Sequence, residues 1–145
     1  MKTAERLVDE LGRLYTSLLL TEPADLELTG TQMLALRGLA DGGGMRLTEL
    51  ARLIRVSDAT ASRAVDCLVA HGLAERRPDP EDRRALSLAA TPAGRRRVER
   101  RRHELAVALG AALDELEPRE QAKLLALLAR LNAAYSNSVS DARIA

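Results

Sequence analysis

Residues 47–72 read LTELARLIRVSDATASRAVDCLVAHG, and their spacing decides how the rest of the chain folds. Leu47, Leu50, Ala51 and Ile54 recur at i, i+3, i+4 and i+7, one face of a helix. Thr48 is positioned as its N-cap, where a hydroxyl accepts from an otherwise unpaired backbone N–H. Arg55-Val56-Ser57 then makes a turn, and Ser57 can cap a second helix. In that helix Ala61, Ala64, Val65 and Leu68 repeat the apolar spacing, and the small alanines let two helices cross closely. At about 100° per residue, Ala59, Ser62, Arg63 and Asp66 fall on the far face, with Thr60 and Cys67 on a flank. Such a helix rests on a core and offers its polar side to a partner. The helix-turn-helix does this, with its second helix in the major groove of DNA.

Two amphipathic helices and a turn are common, so the next residues carry weight. Gly72 stands where a C′ glycine ends a helix. Leu73-Ala74-Glu75-Arg76-Arg77 reads as a strand, Pro78-Asp79-Pro80-Glu81-Asp82 as a loop, and Arg83-Arg84-Ala85-Leu86-Ser87-Leu88 as a returning strand. A helix-turn-helix followed by a basic β-hairpin is a winged helix.

The stretch HGLAERRPDPEDRRALSLAATPAG resembles the wing of the MarR family (multiple antibiotic resistance regulators). That pattern runs roughly GLV-x-R-x-x-D-P-x-D-x-R, an apolar strand, then LT-x-x-G. Here it reads Gly72-Leu73, Arg76, Asp79-Pro80, Asp82, Arg84 and Thr91-Pro92-Ala93-Gly94. Leu28-Thr29 with Gln32, Glu49-Leu50-Ala51, and Ser62-Arg63 with Val65-Asp66 match upstream. Residues 116–120 and the leucine-rich stretch after them match downstream. Ala74, Ala90, Glu117 and Asp58 depart from the usual pattern. The resemblance implies a mainly α fold with a small β-hairpin wing, a winged helix-turn-helix flanked by N- and C-terminal dimerisation helices. It also implies that Arg84 enters the minor groove and that Asp82 positions it. Family ligands commonly sit between the dimer helices and the winged helix. Tyr15, Met33 and Arg37 are the effector-binding candidates by rough position.

At 145 residues the chain suits one compact core. It has no Phe or Trp and two tyrosines, so the core must be built from Leu, Ala and Val. No run approaches the roughly 20 apolar residues of a membrane span. The N-terminus leads into a charged amphipathic pattern rather than a signal peptide. A single cysteine excludes an internal disulfide and agrees with a reducing cytoplasm. The formal net charge is only +1, yet residues 76–102 hold ten arginines against Asp79, Glu81, Asp82 and Glu99. That asymmetry is the footprint of an anion-binding surface. A solvated charged helix is the competing reading.

Along the chain, Ala4, Leu7, Val8, Leu11, Leu14, Tyr15 and Leu18 predict a helix over residues 3–20, broken by Thr21-Glu22-Pro23-Ala24-Asp25. Thr29 and Gln32 form a capping box for the next helix, which ends in a flexible turn at Asp41-Gly42-Gly43-Gly44. Thr91 caps a long fifth helix with Pro92 at its first position. It is expected to run to about Leu116, arginine-rich first, then apolar on one side. Pro118 separates a sixth helix near residues 119–135. Its stripe of Leu124, Leu125, Leu127, Leu128 and Leu131 is too wide for one neighbour. The polar tail, residues 136–145, is expected to fray. We read one domain over residues 1–145, with the winged helix-turn-helix at about 29–90 and dimerisation helices at about 3–20 and 92–138. The broad apolar faces predict a homodimer about a two-fold axis. Its two reading helices would meet half-sites of a pseudo-palindrome about 10 bp apart.

Arg63 is the first candidate for base contact, since its fork suits guanine O6 and N7; a phosphate contact or a solvated arginine are the alternatives. Ser57, Thr60 and Ser62, with Thr48 from the preceding helix, complete the hydroxyls of the DNA-binding set; capping alone is the alternative for these helix-start residues, above all for Ser57. Positive partial charge at the helix N-terminus favours a nearby phosphate. Asp82 and Arg84 would point to one side of an extended hairpin, the carboxylate orienting the guanidinium; the alternative is an exposed ion pair of little worth. Arg76, Arg77 and Arg83 are expected on the DNA backbone. Cys67 has no resolving partner in the chain and reads as a small half-buried residue rather than a redox sensor. His71 and His103 lack metal-ligand spacing, so no metal is expected. No cofactor motif, nucleophile elbow or P-loop appears, so an enzyme is not expected. Single-strand stacking platforms need aromatics this chain lacks. The sequence reads as a bacterial, cytoplasmic, double-stranded-DNA-binding transcription regulator, a repressor released by a small-molecule effector. The alternative is a winged-helix protein–protein interaction module.

Overall fold

The computed structural model describes residues 1–19 and 28–141. Its elements are α1 (Lys2–Leu19), α2 (Gly30–Gly42), α3 (Leu47–Ile54), α4 (Asp58–Ala70), β1 (Ala74–Pro78), β2 (Leu86–Ala90), α5 (Pro92–Leu113) and α6 (Pro118–Asp141). They fall into two compact units, Met1–Leu105 and Ala106–Ala145. The fold is the expected one, helical with a single antiparallel hairpin. The expected break at residues 21–25 lies outside the described residues.

In the first unit, the apolar spacing becomes a core. Ala61, Ala64, Val65 and Leu68 of α4 are all buried. They meet Ala35, Leu36 and Leu39 of α2 and Leu50 of α3. Leu73, Ala74, Leu88 and Ala90 close the core from the wing, with Ala93 and Val98 of α5 packed against it. Each fully buried leucine contributes about 1.5–3 kcal/mol. The hairpin pairs Ala74 with Ala90 and Pro78 with Leu86. Met45 forms an isolated antiparallel bridge to it, exchanging backbone hydrogen bonds of 2.9 and 2.7 Å with Leu88.

Local chemistry sets the boundaries. The Thr29–Gln32 capping box forms as expected: Thr29 N–H donates to Gln32 Oε1 (3.0 Å) and Gln32 N–H to Thr29 Oγ1 (3.3 Å). Helix α3 corrects the sequence reading. Its N-cap position is Arg46 rather than Thr48, because Arg46 keeps an extended backbone and Glu49 Oε2 accepts its N–H at 3.0 Å. Thr48 therefore lies inside the first turn. The turn after α3 is made by Arg55 in the left-handed region, φ 58°. Ser57 Oγ accepts from Thr60 N–H at 3.1 Å, the expected cap of α4.

Gly72, φ 69°, ends α4, and the next N–H, of Leu73, returns to Leu68 O at 2.8 Å. The start of α5 is tied to the same place. Thr91 Oγ1 donates to Gly72 O at 2.6 Å and accepts from Gly94 N–H at 3.1 Å. A Cβ on Gly94 would stand 2.0 Å from Leu73 O, so only glycine fits.

The second unit holds the end of α5 and all of α6. Helix α5 stops at Leu113, three residues before the expected Leu116. Gln121 Nε2 donates to Leu113 O (2.9 Å) and Leu116 O (3.0 Å), covering carbonyls the helix end leaves open. Pro118 is not a separator but the first residue of α6, which runs beyond Tyr135 to Asp141. The leucines of α6 are exposed, as are those at positions 7, 11 and 14 of α1.

Candidate nucleic-acid interface

The inner face of α4 fixes its outer face. Ala59, Arg63 and Asp66 are exposed and the flanking Thr60 and Cys67 half-buried, as the projection requires, while Ser62, expected on the far face, is half-buried. Ser57 Oγ donates to Thr60 Oγ1 at 2.9 Å, and Arg63 Nη2 reaches the same hydroxyl oxygen at 3.4 Å. Cap, hydroxyl and guanidinium thus form one chain along the first turns of α4. Ser57 is a cap, and Thr48 stands exposed on α3. Asp58 in the first turn of α4 sits at the end of the helix dipole that favours a carboxylate.

The wing is organised by Asp79, which sequence reasoning did not single out. The carboxylate is almost buried at 9 % exposure. Its Oδ2 accepts from Arg46 Nε at 2.9 Å, and its Oδ1 from the backbone N–H groups of Glu81 (2.8 Å) and Asp82 (3.2 Å). Asp79 N–H donates to Ala85 O at 3.0 Å and closes the loop. The Arg46 hydrogen bond, helped by the two N–H groups, pulls the Asp79 carboxyl down to about 2. Asp79 in return raises the pKa of the Arg46 guanidinium. The position of Arg46 just before a helix gave no sequence signal of this, since the two are 33 residues apart.

Asp82 and Arg84 correct an expectation. Both lie in the loop before β2, not on an extended strand. Asp82 Oδ1 accepts from the backbone N–H of Arg84 at 3.0 Å rather than from its guanidinium. The carboxylate shapes the turn and leaves the arginine head outside. Arg83 and Arg84 are exposed, and among the described residues no carboxylate pairs with either side chain. Arg76 and Arg77 differ: Arg76 pairs with Asp66 of α4, and Arg77 with Glu75.

Other candidates are less organised. Tyr15 is exposed on α1, Met33 half-buried and Arg37 exposed on α2, 4.0 Å from Asp41. A surface cavity of about 390 Å³ lies between residues 43–46, Glu49, residues 79–81 and Ser87, and none of those three lines it. Cys67 Sγ is 3.6 Å from His71 Nδ1, which also meets Cys67 O at 2.8 Å. Among the described residues no cluster of His, Cys, Asp and Glu could hold a metal ion.

Known proteins are similar to this chain in sequence and in fold. The family model described as MarR family matches residues 28–86. YybA of Bacillus subtilis (strain 168), described as an uncharacterized HTH-type transcriptional regulator, is 29% identical over 126 residues, 87% of this chain and 84% of that protein. A probable transcriptional regulator from Pseudomonas aeruginosa is 33% identical, with 86% of this chain and 93% of that one covered and a TM-score of 0.63. RV1404 from Mycobacterium tuberculosis is 26% identical, with 93% of each chain covered and a TM-score of 0.82.

Proposed function

This chain belongs to the MarR family of DNA-binding transcription regulators, and from that premise we propose that it binds a pseudo-palindromic duplex as a homodimer and represses by occlusion until a small molecule releases it. One observation carries the reading: α4 turns Arg63 outward while the wing tip exposes Arg83 and Arg84, without carboxylate partners among the described residues. A helix suited to the major groove and an arginine-tipped wing suited to the adjacent minor groove fit a single duplex. The proposed DNA-reading part is residues 29–90, with Thr48, Thr60 and Ser62 as further polar contacts beside Arg63. The exposed leucines of α1 and α6 support dimerisation through residues 3–20 and 92–138. Tyr15, Met33 and Arg37 are the proposed effector contacts, Tyr15 and Arg37 exposed and Met33 half-buried. No helix described is long and apolar enough to cross a membrane, and the proposed duplex partner supports a cytoplasmic reading.

The test is selection of duplexes from a randomised library by purified protein, followed by titration. Affinity for the selected duplex should fall about 10³–10⁵-fold from 50 to 200 mM salt if on the order of 6–10 phosphates are neutralised. Arg63→Ala should lose about 1–3 kcal/mol per half-site and relax preference at one base pair. Arg84→Ala should weaken binding with little change in base identity, except where a narrow A·T groove attracts the arginine. The pairing of Arg76 and Arg77 with in-chain carboxylates favours the second reading, an interaction module. No enriched sequence and a flat salt curve would establish that one instead.

A further inference from the structure

Asp66 presents an odd charge. It lies three residues after Arg63 on the outer face of α4, and its side chain is 61% exposed. On a helix that reads DNA, a bare carboxylate there faces phosphate and opposes every duplex alike. Arg76 comes from β1, ten residues on, and its guanidinium pairs with that carboxylate. The pair has two effects at once. It cancels the Asp66 charge on the reading face. It also draws the Arg76 guanidinium, through Nη2, toward Asp66 Oδ1 and away from a phosphate, since carboxylate and phosphate compete for the same donors.

We propose that Asp66 is a specificity-determining residue: by holding Arg76 from across the helix–wing junction, it withholds one arginine per protomer from phosphate and so lowers affinity for non-cognate duplex. The inference rests on the DNA-binding reading above. Binding to phosphate is sequence-blind, because the backbone is the same at every step. An arginine released to phosphate therefore raises affinity for all duplexes and adds nothing to discrimination. An arginine held by Asp66 still ties β1 to α4 and keeps the two reading elements in one register. Among the described residues Arg83 and Arg84 have no such partner, so the chain separates arginines that search from an arginine that braces.

The experiment compares wild type, Asp66→Asn, Arg76→Gln and the double variant on two duplexes of equal length: the best from the library selection, and one of scrambled sequence. Each is titrated from 50 to 200 mM salt. Asp66→Asn should bind the scrambled duplex about tenfold tighter at 0.1 M salt, with the slope of log affinity against log salt steeper by about 0.9 per protomer. Cognate affinity should rise less, so the ratio of the two falls. Arg76→Gln should weaken binding to both duplexes by uncovering Asp66. The double variant should restore the wild-type salt slope, which loss of a merely structural brace would not do. An unchanged slope in Asp66→Asn, or a loss of affinity for both duplexes, overturns the proposal. Wild type binding neither duplex with any salt dependence would instead overturn the DNA-binding reading itself.

Discussion

The winged helix and the flanking helices use the same residue, leucine, in opposite ways. Leu36, Leu39, Leu50 and Leu68 are 0 % exposed. Leu125 on α6 is 70% exposed, Leu127 48% and Leu131 45%, and Leu14 on α1 is 46%. The leucine core of the winged helix is closed by its own chain, although Leu34, Leu53 and Leu86 stay exposed, while among the described residues α1 and α6 bury none of their leucines. A leucine spacing therefore states that a face is apolar, not that the chain itself covers it. The exposed faces ask for a partner, and a second copy is the partner proposed above.

The largest test breaks the flanking side. Leu128→Asp would bury an unpaired carboxylate in the proposed dimer, at a cost of several kcal/mol. Sedimentation should show a folded monomer at micromolar concentration where wild type is a dimer; a monomeric wild type would refute the assembly. The next test sets one leucine against another. Leu68→Ala should destabilise the protein by about 2–5 kcal/mol, while Leu125→Ala in a monomeric Leu128→Asp background should stay within about 0.5 kcal/mol. Urea unfolding measures both, and equal losses would erase the distinction between the regions. Gly94→Ala should cost about 1–3 kcal/mol or somewhat more, because its methyl meets the Leu73 carbonyl and backbone must move.

The smallest effect concerns acid. The Asp79 carboxyl titrates near 2 in the folded chain, below its ordinary 3.8. The unfolded chain therefore takes up the proton first, and the stability contributed by the ionised group is complete above about pH 4. It is lost as pH falls from there through about 2. The acid limb of thermal stability should flatten in Asp79→Asn and shrink in Arg46→Ala, which removes the main cause of the shift. An unchanged acid limb in Asp79→Asn would mean the Asp79 clamp does not hold the wing.

The sequence was legible where one period or one cap decides the structure. The inner face of α4, the Ser57 cap, the Thr29–Gln32 box and the Thr91 start of α5 all follow from residues at most four apart. What escaped were polar contacts between distant residues. Nothing periodic links Arg46 to Asp79, Asp66 to Arg76, or Gln121 to the end of α5. Each depends on where the apolar core delivers two ends of chain. The N-cap of α3 was misplaced because a hydroxyl at position 48 outweighed a glutamate that serves position 46. The Asp82 carboxylate was misassigned because the hairpin turns earlier than an extended strand would allow, bringing the Arg84 N–H nearer than its guanidinium.

The joint between Thr91, Gly94 and the end of α4 has a mechanical consequence. It is made of two carbonyls, one hydroxyl and a missing methyl. None of these has a long side chain that could change rotamer and take up slack. The part of α5 in the first unit, residues 92–105, is about 21 Å long at 1.5 Å per residue, so it is an arm attached to a short stiff bearing. A turn of the arm at its root is handed on to Leu73 and to the first strand of the wing. A larger residue at position 94 would act as a shim in that bearing, changing the angle at which the arm is set.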